Sequence, residues 1–391
     1  MTANLNEEVF NGGPLMRWER SLGLFKPGRS LVVRRTLIAI LIGWLPLAVL
    51  SAVQLLVFWD QSAMSFFSDF AVHARFLVAV PALILAEGEC LPRLGKIVTH
   101  FEQTGLVAGP DIVRFRTAVS STRRLLASSI GDLVLVVLVY VVVAAAALYF
   151  SNGAVVPWHR RGSADALHLS PAGWWHALVS LPLLLILFFV WIWRLALWSR
   201  FLFLMSRLDL NLIAAHPDRV GGLEFVTSSL RGFRLISFAC GAVVAGAILN
   251  RQVHQESQPF QFQNLVIGLL VFLVILFAGP MIIFLKKLRE TKRRGTFEYG
   301  SLAMTVGKQF EAKWLPQRNA LDQQSLEVLD FSATTDLYSV VKNVSAMREV
   351  PFTLRHLIGP IGVSAMLPFI PLALLRIPLD VILRGLVKLL F

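Results

Sequence analysis

Runs of apolar residues about as long as a membrane crossing alternate with polar stretches along the chain. Six runs approach or reach the roughly 20 apolar residues that a spanning helix needs: 37–59, 70–91, 133–150, 174–193, 233–249 and 265–285. The run at 133–150, LVLVVLVYVVVAAAALYF, is Val-rich, and its front would read as a buried strand in a soluble protein. Its 18 residues carry no charge, which predicts a helix in lipid. The run at 70–91 is the least clean, because His73, Arg75, Glu87 and Glu89 flank its charge-free centre. A seventh stretch, 357–375, is cut by Pro360, Pro368 and Pro371. Proline removes a backbone donor that lipid cannot replace but a protein neighbour can. Spanning and dipping back are both open for this stretch. Beyond it, Asp380, Arg384 and Lys388 recur every four residues among Leu, Ile and Val. That spacing predicts an amphipathic helix lying in the interface.

These runs predict an all-α fold, an integral membrane helical bundle of six or seven transmembrane helices with helical cytoplasmic segments. The expected organisation is a segment 1–36, a six-span domain 37–285 with a helical loop at 92–129, a helical segment 286–356, and 357–391 as a seventh span or re-entrant segment with its tail. Composition agrees. Apolar residues make up 56% of the 391-residue chain and charged ones 16%, against about 45–50% and 25% in soluble domains. Cys90 and Cys240 are too few for a disulfide framework or a Cys-based zinc site, and each reads as a small hydrophobe. No cleaved leader is evident in the polar start of the chain.

The net charge of +13 would suggest nucleic acid on another chain. Here its placement gives a different meaning. Of 37 basic residues, six precede the first run, six lie in 92–129, six in 194–234 and twelve in 286–356. The alternate loops hold four: Arg75, Arg160, Arg161 and Arg251. Positive residues stay with the cytoplasmic side, so the N-terminus is expected inside and no nucleic acid is expected as a partner. Arg376, Arg384 and Lys388 are left undecided. Trp175 and Trp193, 18 residues apart, are separated by about 27 Å on a helix, close to the hydrocarbon thickness.

Several side chains are candidates for chemistry. Glu87 and Arg194 are expected at one depth and form a candidate intramembrane pair, since buried acids tend to face a bundle interior or a water path. The string His216-Pro217-Asp218-Arg219-Val220-Gly221-Gly222 has two readings. It is a helix stop with a capping Asp, or a polar loop site in which His216, Asp218, Arg219, Gly221 and Gly222 present Arg219 and backbone amides to an anion. The run KKLRETKRR at 286–294 abuts the membrane and predicts contact with anionic lipids. Gly241, Ala242, Ala245 and Gly246 predict close helix packing, within the chain or in a homo-oligomer. His73, His159, His168, His176 and His254 collect on the other side without metal-ligand spacing, so no metal site is assigned. No nucleophile elbow, P-loop, dinucleotide fingerprint, HExxH or kinase string occurs. No catalytic residue and no cofactor is assigned, and the enzyme reading is disfavoured.

The strings WLPLAVLSAVQ, HARFLVAVPALILAE, WWHALVSLPL, SRLDLNLIAAHPDRVGGLEF, FEYGSLAMTVGKQFEAKWL and VPFTLRHL through KLL together resemble a family of bacterial multi-pass membrane proteins without an established activity. HPDRVGGL is the most specific element. Where that family often carries an acidic loop after ILAE, this chain has GECLPRL. The resemblance implies a bacterial inner-membrane location and carries over no site residue. Two functional classes remain. One is a transporter or channel for a small molecule or ion, with a path at Glu87. The other is a membrane scaffold or signalling partner acting through its cytoplasmic helices.

Overall fold

A computed structural model describes residues 10, 29–150, 157–159, 169–255, 262–316 and 329–374. The tail helix expected at 379–391, most of the 1–36 segment, His168 and the undecided Arg376, Arg384 and Lys388 lie outside the described residues. Nine principal helices are described: α1 (Val32–Phe58), α2 (Phe70–Gln103), α3 (Asp111–Leu126), α4 (Ser129–Phe150), α5 (Pro171–Ser206), α6 (Glu224–His254), α7 (Gln263–Trp314), α8 (Leu329–Ser345) and α9 (Leu354–Ala373). All but α3 and α8 are long and apolar enough to cross a membrane. The stretch with two readings is α9, whose 20 residues span about 30 Å as a helix.

The loop expected at 92–129 is helical, and its first part is continuous with the second span. α2 runs through Pro92 to Gln103, so the predicted loop is an extension of α2 followed by a returning α3. Pro92 falls where the helix has left its apolar run, at an exposed position. α7 likewise continues from its apolar half to Trp314. Its outer half and α8 pair as a hairpin, closed by Phe310, Trp314 and Phe331 with ring centroids 4.8–6.5 Å apart.

α2, α5 and α6 form the enclosed centre, and α1, α4, α7 and α9 pack around them. The small residues of α6 resolve into contacts within the chain. A Cβ on Gly241 would collide with the backbone of Ala365 in α9, and one on Gly246 with Ala74 in α2. Two neighbours thus approach one helix at backbone distance.

The intramembrane prolines mark local irregularities. π-Helical turns, Ala74–Ala79 and His176–Ser180, precede Pro81 and Pro182, and a 3₁₀ turn, Gly279–Phe284, holds Pro280. Pro46 breaks α1 at Trp44 and leaves the Ile42 carbonyl without its helical donor. The indole Nε1 of Trp175 donates to that oxygen at 3.1 Å, and the Ser180 hydroxyl donates to the Gly43 carbonyl at 2.7 Å. α5 therefore repairs the break in α1, as lipid could not.

Candidate functional site

Glu87 and Arg194, the pair expected from sequence, are in contact. Arg194 Nη1 lies 2.6 Å from Glu87 Oε1. A third member joins them: Arg35 Nη1 lies 2.7 Å from Glu87 Oε2. The side chains are 1%, 4% and 9% exposed for Arg194, Glu87 and Arg35. One carboxylate thus joins α1, α2 and α5 at a single level near the basic end of the bundle. Charges buried among apolar side chains are sustained only by such close pairing. The Arg194 guanidinium also sits over the Trp191 ring at 5.1 Å, and Trp191 Nε1 donates to the Leu83 carbonyl at 3.0 Å. In the sequence Arg35 reads only as an orienting charge. The signal that points to it is its place about half a turn before the first apolar run, level with Glu87.

The HPDRVGG string forms a junction. The Asp218 carboxylate accepts the N–H groups of Val220 at 2.9 Å, Gly222 at 3.1 Å and Glu224 at 3.1 Å. His216 Nδ1 lies 2.8 Å from it. The amides that the anion-site reading aims at an external ligand are therefore engaged by the chain's own carboxylate. Partial burial would raise the Asp218 pKa, but these three backbone donors and His216 outweigh it and hold the carboxyl below its usual range. Arg219, Gly221 and Gly222 have φ of 59°, 68° and 93°, a left-handed path that two glycines make accessible. The Arg219 backbone faces the α7–α8 return instead. Its carbonyl accepts the Arg348 N–H at 2.7 Å, while Arg348 Nη2 donates to the Asp218 carbonyl at 3.0 Å. Asn211 N–H donates to the Leu106 carbonyl at 2.9 Å, and a Cβ on Gly295 would strike Ala214. The junction so fastens the α2–α3 turn, the start of α6 and the α7–α8 hairpin to one another. Asp218→Ala strands three amides and is expected to lower stability by about 2–3 kcal/mol, with Asp218→Asn losing less because one oxygen still accepts. Thermal unfolding of the purified variants measures both.

The basic run 286–294 lies on α7 where it leaves the apolar half. Arg289 is paired with Glu349 at 2.9 Å, so part of the run fastens the hairpin's return rather than facing lipid.

The opposite end is closed by a polar and aromatic cluster. Asp69 accepts the N–H of Ala71 and of Val72 and the indole N–H of Trp158, the last at 3.0 Å. The rings of His159 and His176 lie 4.8 Å apart beside Trp158. Burial, partly opposed by Asp69 and reinforced by Arg75, depresses the His159 pKa to about 4. Between about pH 6.5 and 4 the unfolded chain then binds a proton here that the folded chain does not. Stability should fall as pH falls through that window, by about 3 kcal/mol from this group. Melting curves across it should lose part of their slope in His159→Asn.

Seven apolar helices with polar groups paired inside define the class: a multi-pass α-helical membrane protein. Comparison with protein-family models, curated proteins and solved structures finds no match to this chain.

Proposed function

We propose that the chain is a membrane scaffold or signalling partner that works through the α7–α8 hairpin. The observation that carries this reading is the hairpin itself: Phe297, Leu302 and Met304 on α7 and Tyr338 on α8 are 74%, 49%, 62% and 48% exposed, well beyond the apolar half of α7. Large apolar side chains on a projecting, water-facing element favour a protein partner, either another polypeptide or a second copy of this chain. The enclosure of Glu87 by two arginines and the plugged opposite end favour this over a transport path. The asymmetry of the basic residues supports a cytoplasmic N-terminus and hairpin. The HPDRVGG resemblance supports a bacterial inner membrane, and the remainder of 286–294 supports contact with anionic lipid there.

In membranes carrying the protein, a photoreactive phenylalanine analogue at position 297 or 304 is expected to cross-link a polypeptide, and one at exposed Gln61, at the other end, is not. Absence of cross-links at 297 and 304, with solute flux through the reconstituted protein, overturns the proposal.

A further inference from the structure

Two clefts lie end to end along one face of α5. The first, about 400 Å³, is apolar and opens between α4 and α5, lined by Val134, Leu138, Phe189, Trp193 and Ala196. The second, about 510 Å³, lies between α3 and the outer end of α5, lined by Arg114, Thr117, Ser121, Arg200 and Arg207. On α5 the lining residues Phe189, Trp193, Ala196, Arg200, Leu204 and Arg207 follow one another at three or four residues, so they form a continuous stripe. On the facing wall Thr117, Ser121 and Leu125 continue in the same way from the polar cleft into the apolar one.

We infer that this stripe holds one anionic phospholipid, an acyl chain in the apolar cleft and the headgroup phosphate among the arginines. Three observations carry it. The lining changes from aliphatic and aromatic to basic within one turn, between Ala196 and Arg200. That turn rises about 6 Å, and the headgroup layer on one side of a bilayer is roughly 5–8 Å thick. The polar cleft is lined by three arginines and two hydroxyl residues and by no acidic side chain among the described residues. Arg200 is held in place by Ser121, whose hydroxyl accepts from Nη1 at 3.1 Å. Arg207 lies with its guanidinium over the Phe203 ring at 4.9 Å, and Arg114 reaches Asp111 at 3.2 Å from the rim. A guanidinium cluster matches phosphate geometry, and a basic pocket between helices beside an acyl groove selects anionic over zwitterionic lipid. This site is separate from the hairpin and does not depend on what the hairpin binds.

The test is thermal unfolding of the full-length protein in neutral detergent, titrated with phosphatidylglycerol, with phosphatidylcholine of the same chains, or with inorganic phosphate. Phosphatidylglycerol should raise the melting temperature by several degrees more than either other addition. Arg200→Gln with Arg207→Gln should weaken that response at least tenfold in concentration, whereas Lys308→Gln with Lys342→Gln, at exposed positions on the hairpin, should leave it unchanged. If the first pair does not fold, Arg207→Gln alone, at an exposed position, should weaken it about threefold. Ala196→Phe, which fills the apolar cleft, should weaken it as well. Equal responses to the two lipids, a response to phosphate equal to that to phosphatidylglycerol, or an undiminished response in the arginine variants would overturn the inference.

Discussion

Glu87→Gln is expected to destabilise the protein by about 3–5 kcal/mol. Removing one partner of a buried ion pair is strongly destabilising, and here one carboxylate is shared by two arginines, Arg35 and Arg194. The triad also alters what a charge exchange does. For an isolated pair, Glu87→Arg with Arg194→Glu should recover stability. In this structure the exchange restores the contact between 87 and 194 but sets the new arginine against Arg35, 2.7 Å from the carboxylate it replaces. Recovery should therefore be small until Arg35→Gln is added. Thermal unfolding of the single, double and triple variants measures this coupling. A double exchange as stable as wild type would show that Arg35 is not a working member.

Gly241→Leu is expected to cost about 3 kcal/mol. A Cβ at this position already meets the Ala365 backbone, so a larger side chain must move α9 away from α6 and open the packing on both sides. The same substitution at Gly268 on α7, where a Cβ meets open space, should change stability by less than about 1 kcal/mol. The contrast separates close approach from any general effect of replacing glycine in a helix. Equal losses at the two positions would remove the special role of the α6–α9 contact.

The spans are readable from sequence because lipid imposes one strong rule, a long run without unpaired polar groups, and 37–59 or 265–285 obey it openly. The pairing of Glu87 with Arg194 is readable because both charges sit at one depth and have few alternatives there. Arg35 is not, since an arginine just before a span serves orientation equally well. The small residues around Gly241 announce close packing, but the identity of the neighbour, Ala365, depends on tertiary topology. The HPDRVGG string shows the same limit. Its glycines and Asp218 signal an unusual turn, yet sequence alone leaves open whether the amides face a ligand or the chain's own carboxylate. That α2 runs on past 91 and α7 past 285 as single helices is not readable, because amphipathic extensions lack the uniform apolarity that marks a span.

The most direct test of a hairpin displayed in the cytoplasm is labelling of Phe297→Cys, Met304→Cys and Gln61→Cys with a membrane-impermeant maleimide, in intact and in permeabilised cells. The native Cys90 is buried and Cys240 partly so, which keeps background reaction low. Position 61 is expected to react in intact cells, and positions 297 and 304 only after permeabilisation. Reaction at 297 or 304 in intact cells would contradict both the orientation and the proposed docking role.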